Sequence, residues 1–377
     1  FDFLGLKTLD QIRDAVALVK ANHDIDIDMA QLPVDDEPTY EMLSRGDALG
    51  VFQLESSGMR DLLCRLMPNT IDDMVALVAL YRPGPLQSGM TDDFVERKHG
   101  RTRVTYPHPL LEPILKSTYG TVIYQEQVMQ IAQVLAGYSL GQADLLRRAM
   151  GKKKAEEMDK QRVIFLGGAK ERGIDPDVAA GIFDLMAKFA AYGFNKSHSA
   201  AYGYVSYQTA WLKAHYRPEY MAALMTIESA NTDKVLTYIA DCRNAGIRID
   251  PVCVNASQRA FSVPPPDQRD GQDSIRFGLA AVKNVGSGSI RAILDAREEG
   301  GHFVDAFDVF ERVDPKRINK RVYENLVKAG AFDTFGVPRT ALLEGLEQAL
   351  VLGARAQEDA AAGQGSLFSL LGGTTKQ

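Results

Sequence analysis

Hydrophobic side chains recur at helical spacing along most of this chain, and runs that alternate as in β-strands are few. Residues 9–22, for example, place apolar side chains three and four positions apart, as on the buried face of an amphipathic helix, and Thr8 is the predicted N-cap. Short strands are predicted at residues 1–6, 120–124 and 275–279. The pattern therefore predicts a mostly helical α+β fold.

The most distinctive stretch covers residues 188–216, where a polar loop leads into an aromatic-rich helix that ends before Pro218. The polar residues of the loop are Asn195, Lys196, Ser197 and His198. Ser197 or Ser199 is the predicted N-cap. Free N–H groups at a helix start bind anions, so a lysine and hydroxyls there suit a phosphate. A buried aromatic helix with a solvated cap explains these residues equally well, and the stretch alone leaves both interpretations open.

Two further segments concentrate cationic side chains. Residues 79–89 contain two prolines and two glycines, which predicts an irregular loop that exposes Arg82. Residues 144–172 contain nine Lys or Arg and five Asp or Glu, a net charge of +4. Within them, Arg147 and Arg148 precede small residues, where planar guanidinium groups can each bind phosphate through two hydrogen bonds. A solvated helix surface would also tolerate such a cluster.

The pattern changes after the proline-rich residues 263–267, which are predicted to form a hinge before a new unit. Residues 280–294 fit two helices separated by a turn at Gly286 and Gly288, the arrangement of a helix-hairpin-helix. A second, similar pair is predicted over residues 316–332. Two such pairs in tandem favour binding to duplex DNA without sequence preference.

The chemistry of the first turn supports that hypothesis. Gly286 and Gly288 let the backbone approach a DNA phosphate, which N–H groups at the start of the second helix can bind. Lys283 and Arg291 add positive charge beside the turn. A glycine at a helical turn is common in proteins generally, so the signal comes from the tandem arrangement.

The residues from 346 onward are rich in Ala, Gln and Gly, and we expect them to be flexible. Gln364, Leu367 and Phe368 lie within this tail. An apolar Leu-Phe pair in a polar tail indicates a partner that covers it.

Composition narrows the class of protein. With 45% hydrophobic and 24% charged residues and a formal net charge of −6, the chain is not basic throughout, so contacts with nucleic acid must come from local patches. The 377 residues predict more than one domain. Three cysteines without metal-ligand spacing favour a reduced, cytoplasmic protein. No apolar run approaches the ~20 residues that span a bilayer, so no membrane is expected.

Four segments, in order, resemble the fingers domain of the C family of bacterial replicative DNA polymerases, the DNA polymerase III alpha subunits. They are GVFQLESSGMR at 50–60, LVALYRPGPLQSGM at 77–90, YGTVIYQEQVMQIAQVLAGYSLGQADLLRRAMGKKK at 119–154 and FAAYGFNKSHSAAYGYVSYQTAWLKAHY at 189–216. The resemblance covers essentially the whole chain. It implies five segments: the end of a palm at 1–8, fingers at 9–230, a connecting segment at 231–270, tandem helix-hairpin-helix motifs at 271–345, and a flexible tail with a clamp-binding motif at 346–377.

The resemblance also implies a role for each candidate residue. Asp2 matches the third catalytic aspartate of a site for two Mg²⁺ ions. The implied nucleotide-binding residues are Arg82, Arg147, Arg148, Asn195, Lys196, Ser197 and His198. The tail residues Gln364, Leu367 and Phe368 are similar to a sliding-clamp-binding pentapeptide.

The implied activity is DNA-directed nucleotidyl transfer from a dNTP to a primer 3′-hydroxyl during chromosome replication. The implied partners are primer–template DNA, the sliding clamp and other replicase subunits. Because the sequence starts at Phe1 and lacks the other two palm aspartates, we expect it to be a fragment that is inactive alone. A DNA- and clamp-binding module without catalysis is the alternative.

Overall fold

The computed structural model describes residues 5–152, 155–190 and 193–361. Its compact units are residues 28–215 and, separately, residues up to 27 together with those from 216 onward. Among the described residues, two strands of three residues each accompany a large majority of helix. The predicted fold class, mostly helical α+β, is confirmed.

The helices and strands follow one another along the chain with short connections. The helices are α1 Lys7–His23, α2 Glu37–Ser44, α3 Ser57–Leu66, α4 Ile71–Leu80, α5 Pro83–Gln87, α6 Met90–Lys98, α7 Glu112–Leu115, α8 Gln125–Ala136, α9 Leu140–Lys152, α10 Ala155–Glu171, α11 Pro176–Ala190, α12 Lys196–His215, α13 Arg217–Ile227, α14 Thr232–Asn244, α15 Ser287–Gly300, α16 Ala306–Arg312, α17 Lys320–Ala329 and α18 Arg339–Ala361. The strands are β1 Arg248–Asp250 and β2 Ser274–Arg276.

Capping residues set several of these helix boundaries. Ser56 begins α3 by accepting a hydrogen bond from the N–H of Met59. Thr70 and Asp73 form a reciprocal capping box at the start of α4. At the other end of a helix, Gly137 adopts φ +70° after α8, a conformation that glycine accepts without strain. Local chemistry thus fixes where these helices begin and end.

In the unit of residues 28–215, α12 packs directly against α4. Gly203 permits this approach, because a Cβ at that position would lie 3.0 Å from the Cα and the N of Val75. A second core joins α8 to α11, with Val128, Phe165 and Phe183 among its buried residues. Two packed helical layers therefore support the loops between them.

The other unit contains α1, α13, α14, both strands and the helices from α15 onward. At its centre Glu219 is 1% exposed. The Glu219 carboxylate accepts hydrogen bonds from Asn22 Nδ2 at 3.1 Å and Arg269 Nη2 at 2.8 Å, and lies 3.0 Å from His23 Nε2. A buried carboxylate without partners would be costly, so this network ties α1 and residue 269 to α13.

Strands β1 and β2 pair in parallel, with Ile249 opposite Ile275. Parallel strands require a long crossover connection, which residues 251–273 provide. The following helices enclose one apolar core. Its fully buried members include Val309, Leu326 and Phe332.

Three local predictions were wrong. The strand expected at 120–124 is reduced to a single bridge between Tyr124 and Phe194. The irregular loop expected at 79–89 contains α5, because Pro83 suits the first position of a helix, where no N–H donor is needed. Thr8 lies inside α1, whose N-cap position is Leu6.

The prediction of a flexible tail from residue 346 was also wrong as far as Ala361, since α18 continues to that residue. Gly353 lies so close to α16 that a Cβ there would be 2.6 Å from the carbonyl oxygen of Phe310. Gln357 Nε2 donates to the carbonyl oxygen of Val313 at 2.9 Å. Docking against α16 therefore holds a segment whose composition suggested flexibility. The strand predicted at residues 1–6 falls largely on residues outside the described ones.

Within the described residues, no helix combines the length and the apolar character that crossing a membrane requires.

Two adjacent glycines of α10 provide a matched test of this packing. A Cβ at Gly168 would lie 2.1 Å from the carbonyl oxygen of Ala136, whereas a Cβ at Gly167 would meet nothing within 4 Å. We expect Gly168→Ala to lower the free energy of unfolding by ~1–3 kcal/mol, because α8 and α10 must separate. Gly167→Ala should raise it by ~0.5–1 kcal/mol through helix propensity. Thermal melting of both variants measures the difference, and equal effects would contradict the helix contact.

Candidate functional site

The arginine pair of α9 is held by a single carboxylate. Asp144 Oδ1 accepts from Arg147 Nε at 2.9 Å and Nη2 at 2.7 Å, and Asp144 Oδ2 lies 2.8 Å from Arg148 Nη2. The hydrogen bonds from Arg147 hold the pKa of the Asp144 carboxyl below its ordinary value. The Arg148 side chain is 62% exposed and that of Arg147 is 27% exposed. Arg148 is thus the more accessible cation.

Gln125, the first residue of α8, connects this pair to the loop before α12. Its Oε1 accepts from Arg147 Nη1 at 3.1 Å, and its Nε2 donates to the carbonyl oxygen of Gly193 at 3.0 Å. The backbones join as well: Gln125 N–H donates to Phe194 O at 2.9 Å, and Phe194 N–H donates to Ile123 O at 3.0 Å. The arginine pair and the loop are therefore parts of one hydrogen-bonded arrangement.

The start of α12 differs from the prediction. Asn195 caps the helix, since its Oδ1 accepts from the N–H of His198 at 2.8 Å. Ser197 and Ser199 lie inside the first turn, so the prediction that one of them is the N-cap was wrong. The Lys196 N–H, which we expected to be open to phosphate, donates to Glu126 Oε2 at 2.9 Å.

A ladder of rings lies beside this helix start. The Arg82 guanidinium is 4.1 Å from the centroid of the Phe194 ring. Phe194 meets His198 edge-on at 5.3 Å, and His198 stacks on Tyr202 at 4.3 Å. Lys196 Nζ lies 5.4 Å from the ring centroid of Tyr124. Arg82 and the 195–198 loop are thereby brought to the same end of α12.

The structure thus connects most of the residues proposed for nucleotide binding. Through Gln125 and Phe194, the arginine pair, Arg82 and the loop at the head of α12 belong to one unit. Sequence reasoning missed Gln125, Glu126 and Asp144. Their only signal was position: two of them open a helix, and the third precedes the arginines by three and four residues.

The other candidate residues lie in the second unit, at the start of α15. Gly286 is the N-cap residue and Gly288 lies in the first turn, and a Cβ at either would meet nothing within 4 Å. Lys283 and Arg291 are both exposed. The first helix predicted for this hairpin is instead a 3₁₀ turn at Leu279–Ala281.

Two clefts flank that helix start. One, of about 530 Å³, is lined by Arg259, Ser287 and Arg291 among others. The other, of about 590 Å³, is lined by residues that include Lys283 and Gly286. Each cleft carries a cationic side chain beside backbone that no side chain covers, an arrangement that suits a phosphate chain.

The second predicted hairpin contains helix α17, which Asn319 caps by accepting from the N–H of Val322 at 3.1 Å. The preceding turn is fixed to α15, because Arg317 O accepts from Ser289 Oγ at 2.8 Å and Arg317 Nη1 lies 2.9 Å from Asp295 Oδ2. The two hairpins therefore form one module.

Asp2, Gln364, Leu367 and Phe368 lie outside the described residues. Within the described part, no group of three or more His, Cys, Asp or Glu residues could hold a metal ion.

The comparisons with known proteins agree with both parts of this description. Residues 8–173 match the family model of the bacterial DNA polymerase III alpha subunit finger domain, and residues 246–342 match a model of the helix-hairpin-helix motif. The fold and site thus define a protein that combines a polymerase finger domain with helix-hairpin-helix motifs.

The chain belongs to the family of bacterial DNA polymerase III alpha subunits. It is 52% identical over 380 residues to DNA polymerase III subunit alpha of Haemophilus influenzae, covering 98% of this chain and 32% of that protein. The corresponding Escherichia coli K12 protein is 50% identical with the same coverage, and the Pseudomonas aeruginosa protein is 55% identical over 347 residues, 89% of this chain and 29% of that protein. The chain spans about a third of the length of these relatives, and the family resemblance seen in the sequence is confirmed.

Proposed function

We propose that this chain supplies the fingers and a DNA-binding module of a replicative DNA polymerase, which adds dNTPs to a primer on a template. The connection of Arg147 and Arg148 to the head of α12 through Gln125 carries this proposal. It sets at least three cationic side chains around one loop, as a polyanionic triphosphate requires. Residues 9–230 would form the fingers and residues 271–345 the DNA-binding module.

The two arginines divide the work on the triphosphate. Arg147 makes hydrogen bonds to Asp144 and Gln125, so its guanidinium plane is fixed. Arg148 is more exposed and can turn towards a phosphate while Asp144 retains Arg147. Because one carboxylate is shared by two guanidinium groups, the trio keeps a net charge of +1 for an anion. Lys196 and Arg82 would add charge from the α12 side, and Asn195, Ser197 and His198 would border the same pocket.

The reaction proposed for the whole polymerase uses two Mg²⁺ ions, which would lower the charge barrier to attack by the primer hydroxyl. The described residues do not provide a site for such ions. Their ligands would have to come from beyond the described residues, Asp2 among them.

We therefore expect the 377-residue chain by itself to extend no primer at any Mg²⁺ concentration, because two ions ~3.5–4 Å apart need several carboxylates. A primer-extension assay on the purified chain measures this. Template-dependent incorporation, free of contaminating polymerase, would show that the chain holds a complete site.

In a full-length polymerase that contains this chain, Arg148→Ala should raise the dNTP KM or lower kcat. The loss of a charge-assisted hydrogen bond costs ~1.5–3 kcal/mol, which corresponds to roughly 10–150-fold in kcat/KM. Arg45→Ala is the matched control, since Arg45 is 65% exposed and lies 3.9 Å from Glu41 within α2 and its C-cap. Single-turnover dNTP titrations compare the two, and equal effects would return Arg148 to an ordinary surface role.

The tandem hairpins would bind duplex DNA through its phosphates. Lys283 and Arg291 stand on either side of the glycine turn at the start of α15, and the two clefts there are open to a phosphate. The tail motif of Gln364, Leu367 and Phe368 would bind the sliding clamp, with other replicase subunits as further partners of the whole protein.

Changing Lys283 and Arg291 together to Ala should weaken duplex binding and reduce the slope of log affinity against log salt by ~1–2, because fewer counterions are released. Clamp binding should stay unchanged. Changing Leu367 and Phe368 to Ala should do the reverse, with clamp affinity falling by ~2 kcal/mol or more. Fluorescence anisotropy with a labelled duplex and a clamp-binding assay separate the two surfaces. A salt slope unaffected by the first pair would move DNA binding away from this turn.

A further inference from the structure

Glu126 lies between the N-termini of two helices. It is the second residue of α8, and its carboxylate also reaches the start of α12. There Glu126 Oε2 accepts from the Lys196 N–H at 2.9 Å, and Oε1 accepts from Asn195 Nδ2 at 3.0 Å. Both helix ends favour negative charge, so the anionic form of Glu126 is stabilised from two directions.

This arrangement changes where a phosphate can bind. Two N–H groups in the first turn of α12 already have acceptors: that of Lys196 donates to Glu126, and that of His198 donates to Asn195 Oδ1 at 2.8 Å. A phosphate at the same helix end would lie next to the Glu126 carboxylate, and like charges at that distance repel. Phosphates therefore meet side chains here rather than the helix end.

The same contacts fix the residues that carry those side chains. Glu126 holds the backbone of Lys196 and the side chain of Asn195, while Phe194 is paired to the backbone of α8's first residue. Lys196 and His198 thus leave an anchored stretch of chain. A fixed backbone lowers the entropy lost when a long lysine side chain binds an anion.

We propose, resting on the nucleotide-binding function proposed above, that Glu126 is a positioning residue for dNTP binding. Its carboxylate anchors the head of α12 and closes that helix end to phosphate, so that Lys196 and the arginine pair of α9 receive the triphosphate. The opposite role is that Glu126 is a placeholder that the triphosphate displaces. The two roles predict opposite signs for the effect of its removal.

The test uses a full-length polymerase that contains this chain, with dNTP dissociation constants from single-turnover incorporation. We expect Glu126→Ala to raise the dissociation constant about tenfold or more, the scale of a lost charge-assisted hydrogen bond. Glu126→Gln keeps one acceptor oxygen and should show an intermediate increase, while its nearly identical shape protects the fold. Glu37→Ala, at the exposed first position of α2, is the matched control and should change nothing.

A double-mutant cycle with Lys196→Ala separates positioning from general damage. If Glu126 acts through Lys196, then Glu126→Ala should cost much less in the Lys196→Ala background than in the wild type. The Glu126 hydrogen bond goes to the backbone of residue 196, so it survives that background substitution. Primer–template affinity and melting temperature should stay at wild-type values in Glu126→Gln.

Each other outcome overturns the inference. Tighter dNTP binding in Glu126→Gln would identify a placeholder, and unchanged binding would leave Glu126 a merely structural cap. If Arg148→Ala weakens dNTP binding and Glu126→Gln does not, only this inference fails. If neither substitution matters, the proposed nucleotide site itself fails.

Discussion

The candidate nucleotide site depends on one short junction, where the start of α8 meets the chain just before α12. Two backbone hydrogen bonds pair Phe194 with Ile123 and Gln125. From this junction Gln125 reaches Arg147 and Glu126 reaches the Lys196 N–H. The pairing places polar side chains of one helix start against the beginning of another. Without it, the arginines of α9 and the loop at 193–198 would have no common reference point.

Carboxylates organise the cations around that junction. Asp144 sets the spacing of Arg147 and Arg148, and Glu126 holds the loop that carries Lys196. Exposed ion pairs contribute little to stability, so their value here lies in orientation. An anion that binds such groups loses less entropy than one that must order free side chains. This explains how a chain with a net charge of −6 can present a locally cationic surface.

The DNA-binding module relies on a different device, bare backbone at a helix start. Gly286 and Gly288 leave open space beside α15, and clefts with cationic side chains flank them. The support comes from a continuous apolar core below, in which residues such as Val309 and Leu326 are fully buried. Helix α18 docks on that core as well. Rigid packing thus presents a surface that reads charge and shape rather than base sequence.

The sequence by itself determined the helical fold class, the arginine pair, the loop at 195–198 and the glycine turn of the hairpin module. These features depend on near neighbours, since a helical period, a cap or a turn spans only a few residues. The family resemblance followed from the same local segments. Only the tertiary structure decided that Asn195 rather than a serine caps α12, that Glu126 occupies that helix end, and that residues 349–361 are helical. Glu126 and Lys196 are 70 positions apart, and no fixed spacing in a sequence records which distant surfaces will meet.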